Sequence, residues 1–387
     1  MQYALLNGAR LRVLLTRPDT RAYGNAILNM AWSFHMARAL DAALFVDPLD
    51  GSRLDALTAL ECEGVRRSGL SRRMGPVLRW AWGQGRRVGL CAVGTLHELG
   101  PGGRGTEAER AYFGLDLRRV CAATPLRVRL PGPVEDRVAR QAARLGLADR
   151  RLVTLHVREA GHKAALGVTD RDKDTARNAE IGTYGEAIDW LVARGYVVVR
   201  IGGPEMTPLS RPGVVDLATH PERSLALELW CVFRSAFLMA GDSGPFNLSV
   251  LTGVPCLGTN MTHLIGAYPL RCHDRMLLKP VREAEEGTML SLSDMLTASH
   301  MKHRWVPGRF LFEDNSPEQI RDAAVEMVRI LDAPEAAPTP AQRSAREAVL
   351  TFLASDYGRR KQKGQSFFLG DGFIVDHSLP DLHVPAS

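Results

Sequence analysis

The sequence contains no C-x-x-C pair, no signal-peptide pattern and no apolar run approaching the roughly 18 residues that a membrane helix needs. Its cysteines, Cys62, Cys91, Cys121, Cys231, Cys256 and Cys272, stand singly, which excludes a Cys-paired zinc site and argues against a disulfide framework. They read as buried thiols in a reducing compartment. The opening MQYALLNGARLR lacks a basic patch followed by an apolar core, so the cytoplasm is the expected location. The spaced glycines of G-x-G-x-x-G and the P-loop are missing too, which excludes the commonest dinucleotide and triphosphate signatures. Charge is only mildly one-sided, with 49 Lys and Arg against 43 Asp and Glu, and most of the excess is scattered arginine. Without a dense basic stripe or basic residues interleaved with aromatics, nucleic acid is not an expected partner.

What is present is a chain of 387 residues, too long for one ordinary core and suited to two domains of roughly 150 to 200 residues each. Apolar residues make up 45% and charged residues 24%, enough to build sizeable cores. Short apolar runs alternate with helical stretches. Strands are predicted at Leu11 to Thr16, Ala43 to Val46, Val88 to Val93 and Leu126 to Leu130, with a helix over Asn25 to Leu40 and an exposed loop over Leu99 to Glu109. A helix over Glu135 to Leu145 leads to a junction near Asp149. Beyond it the alternation restarts with strands at Leu152 to Val157, Tyr196 to Ile201, Val214 to Leu217, Phe237 to Ala240 and Pro255 to Leu257. Helices are predicted at Ile181 to Ala193, around Ser224 to Arg234, after Gly244-Pro245, and at Ser316 to Leu331, with Ser316 as the N-cap. Such alternation defines an α/β fold: two Rossmann-like parallel-sheet domains facing a cleft. We expect 1–149 as an acceptor-side domain, 150–332 as a donor domain, and 333–387 as a linker and C-terminal segment returning to the N-terminal domain.

In an open parallel sheet, ligands bind where strands end and loops begin, so polar residues at those places matter most. Three loops stand out. In THVREAGH, His156 and Arg158 alternate around Val157, and an arginine fixed at a strand end suits a diphosphate because its planar fork offers paired donors. Either residue also fits a structural role, as an internal ion pair or a core histidine. The polar loop beyond carries Asp170, Asp172 and Asp174 alternating with Arg171 and Lys173, then Arg177 and Asn178 before a helix, where Asn178 reads as a ligand contact or a cap. In the second loop, AGDSGPFNLSVLTGVP, Asp242, Ser243, Gly244, Pro245 and Asn247 lead from a strand into a helix, whose first amides are a natural anion seat. In the third, Tyr23, Gly24 and Asn25 open the first helix after Asp19, while His35 sits among apolar residues as a core histidine.

Taken together, HVREAGH (His156 to His162), ARNAEIGTY (Ala176 to Tyr184), GYVVVRIGG (Gly195 to Gly203), GDSGP (Gly241 to Pro245) and EDNSPEQI (Glu313 to Ile320) resemble a bacterial family of glycosyltransferase-like proteins met in surface-polysaccharide and antibiotic gene clusters. The YGNAILNMAWSFHMARAL segment is similar to the helix start of fucosyltransferase-like enzymes, and DSGP to the donor loop of heptosyltransferases. The chain departs from the family pattern at Glu159, where Asp is usual, and at His162, where Tyr is usual.

The resemblance implies a GT-B glycosyltransferase that moves a sugar from a nucleoside diphosphate sugar to a hydroxyl of a small-molecule or glycan acceptor. Arg158 would hold the donor diphosphate, with Arg177, Asn178, Gly202, Asp242, Ser243, Gly244, Pro245 and Asn247 as further donor contacts. Tyr23, Gly24, Asn25 and His162 would face the acceptor side. Asp19, Glu159 and His156 are the candidates for a general base. The nucleotide sugar is a co-substrate, and neither a cofactor nor a metal is expected. A nucleotide-sugar epimerase or hydrolase of the same two-lobed fold, or a non-catalytic sugar-nucleotide binding protein, stays open beside this reading, as do the donor base and the oligomeric state.

Overall fold

A computed structural model describes residues 2–7, 12–18, 23–39, 41–46, 54–68, 91–95, 125–161, 172–262, 271, 273–334, 338–355 and 368–369. Asp19, His162, Asp170 and the 99–109 loop lie outside them. Contacts divide the chain into two compact units. One comprises Met1–Ala142, Ser224–Phe233 and Asn247–Gly253; the other comprises Ala143–Arg223, Arg234–Phe246 and Val254–Ser387.

The first unit opens as β-α-β. Strand β2 (Arg12–Arg17) leads into the helix Tyr23–Ala39 and then to strand β3 (Ala43–Val46), which pairs parallel to β2. That helix is apolar around most of its circumference, and Ala26, Ile27, Met30, Ala31, Phe34 and Met36 are fully buried, as expected of a helix wrapped by its own core. A strand that periodicity did not reveal, β1 (Gln2–Asn7), runs antiparallel to both β2 and β5 (Cys91–Thr95), so this four-stranded sheet is mixed. The predicted 126–130 strand shortens to β6 (Val128–Arg129), which pairs antiparallel with β4 (Glu61–Cys62).

The second unit is built on seven parallel strands: β7 (Arg151–His156), β8 (Tyr196–Arg200), β9 (Val214–Asp216), β10 (Ser235–Ala240), β11 (Cys256–Met261), β12 (Arg275–Leu278) and β15 (Phe368–Leu369). Their order is β15-β12-β11-β10-β7-β8-β9. Strands β8, β11 and β12 are buried at every residue, which is the pattern of a sheet covered on both faces. The chain therefore starts at the middle of the sheet with β7, winds outward through β8 and β9, returns to lay β10 beside β7, and winds out the other way. The sheet's direction of growth reverses between β7 and β10, and Ala240 of β10 lies opposite His156 of β7 in register.

Local chemistry sets the boundaries. Gly195, at φ +83°, ends the helix Gly185–Ala193 in the left-handed conformation and delivers the chain to β8. Ser316 accepts from the Gln319 amide, while Gln319 reaches back to the Ser316 amide, and Pro317 occupies the first turn of the helix Pro317–Asp332. One expectation changes. The helix predicted after Gly244-Pro245 is a 3-10 turn, Gly244–Asn247, running into a short α-helix, Leu248–Thr252, and so short a helix carries little macrodipole for the anion seat expected there. Among its described residues, the C-terminal segment packs on the second unit. Gln342 Nε2 in the helix Pro340–Ala354 donates to Glu326 Oε1 at 2.6 Å, Ala345 and Val349 are buried, and β15 pairs with β12. A remaining excursion pairs β13 (Val281–Glu283) with β14 (Phe310–Phe312) antiparallel. Among the described residues no helix is long and apolar enough to cross a membrane.

Candidate functional site

The reversal between β7 and β10 leaves two loops facing each other across the carboxyl ends of adjacent strands, the position where doubly wound sheets bind ligands. These are the loops singled out from sequence, after His156 and after Ala240. The backbone joins them directly, because the Gly241 amide donates to the His156 carbonyl at 3.1 Å.

Arg158 and Arg177 meet here. Arg158 Nε donates to Asn178 Oδ1 at 3.1 Å, and its backbone carbonyl accepts from the Ala179 amide at 2.8 Å, so the first loop and the 177–179 segment are stitched together. Arg177 Nε lies 3.0 Å from the Asp242 carbonyl and 3.1 Å from Asp242 Oδ1, linking the same segment to the second loop. Asp242 Oδ2 accepts from Thr262 Oγ1 at 2.5 Å, which fixes that carboxylate from the other side. Between the two guanidiniums stands Asp174, almost wholly buried, with Oδ1 at 3.6 Å from Arg158 Nη2 and 3.8 Å from Arg177 Nη1. Neither separation is a hydrogen bond. The two Nη groups of Arg177 donate to nothing among the described residues, and its side chain keeps a quarter of its surface (25%) open. Arg158 is more enclosed, at 14%.

A second tier holds this cluster. Lys279 Nζ donates to the Asn178 carbonyl and to Asp314 Oδ1, both at 2.6 Å, and Asp314 Oδ2 accepts from the Glu180 amide at 2.8 Å. Behind it, Asn260 and Asn315 exchange amide-to-side-chain hydrogen bonds of 2.7 Å in both directions, and Asn260 Nδ2 donates to Tyr184 Oη at 3.0 Å. Burial pushes the Tyr184 phenol up to about 12, so it acts as a neutral hydrogen-bonding group. Asn260 takes a left-handed φ of +51°, a conformation that asparagine tolerates better than most residues. Periodicity does not expose Lys279, Thr262 or Asn260. A usable signal existed for Asp314 and Asn315, which immediately precede the capping Ser316.

The other predicted residues are dispersed. His156 Nδ1 lies 3.1 Å from the Ile201 carbonyl, which can only accept, so Nδ1 donates this bond. Glu159 faces away from the cluster: its oxygens meet the wholly buried Arg200 and, at 2.9 Å, the Thr207 amide. Gly202 follows β8, where a Cβ would collide with the Met206 thioether, and its carbonyl accepts from Arg223 at 2.6 Å. Ser243 Oγ turns back to the Gly241 carbonyl at 3.2 Å, while Gly244 and Pro245 form the 3-10 turn. Asn247 belongs to the first unit, where Nδ2 donates to the Gly24 carbonyl at 2.9 Å at the start of the helix holding Tyr23, Gly24 and exposed Asn25. Among the described residues, no group of three or more His, Cys, Asp or Glu is placed to hold a metal.

Fold and geometry thus define an α/β protein with an arginine pair at the switch point of a doubly wound parallel sheet. No protein-family model matches the sequence, and no curated protein matches it. Among solved structures, the chain is similar to the glycosyl transferase family 9 protein from Veillonella parvula DSM 2008, at 18% identity and a TM-score of 0.26 over 40% of this chain and 44% of that one. It is also similar to E. coli ADP-heptose LPS heptosyltransferase II, at 14% identity and a TM-score of 0.45 over 84% of this chain and 99% of that one. A third likeness is to the dodecameric iron-containing heptosyltransferase TibC, solved in complex with ADP-D-β-D-heptose, at 14% identity and a TM-score of 0.26. That match covers 47% of this chain and 46% of TibC, so the chain spans less than half the length of the first and third of these structures.

Proposed function

We propose that this chain is a GT-B glycosyltransferase that transfers a sugar from a nucleoside diphosphate sugar to a hydroxyl of a small-molecule or glycan acceptor. One observation carries the reading: two arginines from the loops of a sheet's switch point converge on a single buried carboxylate, and one of them keeps its terminal donors uncommitted among the described residues. Arg177 presents its Nη pair to the donor diphosphate, Arg158 adds the second positive charge, and the amides of Ser243 and Gly244 supply neutral donors. As the sugar departs, negative charge grows on the diphosphate. Donors already fixed by Asn178 and Asp242 stabilise that charge without reorganising.

With both Glu159 oxygens engaged, the general base falls to His156 or to Asp19. Tyr23, Gly24, Asn25 and His162 serve the acceptor side. The first 149 residues act as the acceptor domain and residues 150–332 as the donor domain. The motif resemblance favours a step in surface-polysaccharide or antibiotic assembly.

Titration with UDP, GDP, ADP and dTDP should reveal one nucleoside diphosphate that binds and raises the melting temperature. Arg177→Ala should weaken that binding by roughly ten- to a hundredfold, since a charge-assisted contact to phosphate is worth roughly 1.5–3 kcal/mol. Absence of binding across the panel, or full transfer activity in Arg177→Ala, would overturn the proposal. Turnover of the donor sugar with no acceptor present would replace it with the hydrolase or epimerase reading.

A further inference from the structure

Each guanidinium of the pair is oriented by a partner other than Asp174. Arg158 is fixed through Nε by Asn178, and Arg177 through Nε by Asp242. Asp174 stands at 3.6 and 3.8 Å from them, beyond hydrogen-bonding reach, with the same oxygen, Oδ1, turned to both. Toward this pair it contributes charge more than geometry. Its carboxylate is almost completely buried, and its field acts on whatever enters between the arginines.

We propose that Asp174 is the residue that sets the anion affinity of the switch-point site. It is a resident counter-charge with which an incoming diphosphate competes, and this inference rests on the donor-site reading above. The formal charges of Arg158, Arg177, Asp174 and Asp242 sum to zero. A diphosphate thus meets two cations already half-satisfied, binds less tightly than to an uncompensated pair, and leaves more readily once the sugar is gone. Removing the charge while keeping the shape should reverse that balance. A unit charge about 6 Å from a phosphate, in an effective dielectric of about 20, corresponds to roughly a hundredfold in binding, and salt screening leaves about tenfold.

The test is calorimetric titration of the full chain with inorganic pyrophosphate and with the tightest-binding nucleoside diphosphate, comparing wild type, Asp174→Asn and Asp174→Ser. Asn preserves the shape, and Ser provides a second neutral side chain should the Asn variant fold poorly; circular dichroism reports folding in each. Both variants should bind pyrophosphate about tenfold more tightly than wild type, with the gain shrinking as salt rises. Equal or weaker binding in the folded variants overturns the assignment and makes Asp174 a positioning residue, while leaving the donor site itself standing if Arg177→Ala weakens binding. If wild type and variants alike bind neither probe, the donor-site reading fails and this inference falls with it.

Discussion

Removing the Glu159 carboxylate should weaken the second unit while leaving the arginine pair in place. Arg200, at the end of β8, is the largest fully buried side chain among the described residues, with 0% of its surface exposed. Glu159 meets its Nη2, Asp216 Oδ2 lies 3.1 Å from Nη1, and the Thr207 carbonyl accepts from Nη1 at 2.5 Å. Asp216 Oδ2 also accepts from the Leu209 amide at 2.9 Å, so one buried guanidinium ties the 207–209 segment to the ends of β8 and β9. Deleting one partner of a buried ion pair costs about 3–5 kcal/mol, because the remaining charge loses compensation and cannot reach water. Asp216 still compensates half of this interaction, so Glu159→Ala belongs at the lower end, about 3 kcal/mol, with about 1 kcal/mol more for the orphaned Thr207 amide. In a unit of this size, 1 kcal/mol moves the melting temperature by roughly 2–4 °C, giving a fall of about 8–16 °C. Glu159→Gln, which keeps the shape and one acceptor, should fall by about half as much. Differential scanning calorimetry measures the shift, and nucleoside diphosphate binding below the transition should stay near wild type. A melting temperature within about 2 °C of wild type together with lost transfer would refute this reasoning and make Glu159 a chemical residue.

Two further outcomes follow from buried groups away from the arginine pair. Burial, reinforced by Arg38 for His35 and by Arg304 and Arg309 for His300, lowers both imidazoles to about 4. At neutral pH the rings are uncharged in folded and unfolded chains alike; between about pH 6.5 and 4 only the unfolded chain takes up protons, so stability should fall with pH through that window and level off below it, by about 3 kcal/mol per histidine. Melting curves across this range should flatten in a His35→Leu, His300→Leu variant, and an unchanged slope would exclude these residues as the cause. Asn315 holds the Asn260 amide and the Leu278 carbonyl, each at 2.7 Å in a fully buried setting, so Asn315→Ala should cost roughly 3 kcal/mol in urea unfolding. A loss below about 0.5 kcal/mol would show that water replaces both bonds.

Much of the second unit was legible from sequence because its signals are local. Short β-branched runs such as YVVV read as strands covered on both faces, Gly195 marks a left-handed helix exit, and Ser316-Pro317 with Gln319 marks a helix entry. Placing the functional loops at strand ends followed from the same alternation. The residues Arg158, Arg177, Asn178 and Asp242 came from that step, and the structure brings all four together.

Strand order and partnership were decided only in three dimensions. Nothing near His156 indicates that β10, some eighty residues later, lies beside β7, yet that adjacency is what sets Arg177 against Asp242. Glu159 looked available for chemistry until β8 placed Arg200 against it, and Asp174 looked like one of several loop carboxylates until two guanidiniums closed around it. The antiparallel run of β1 and the docking of the C-terminal helix on Glu326 were equally hidden. The physical reason is common to all of these: periodicity and capping report how a segment contacts its own neighbours along the chain, whereas the partner of a buried charge is chosen by which distant segment the packed sheet brings within about 4 Å.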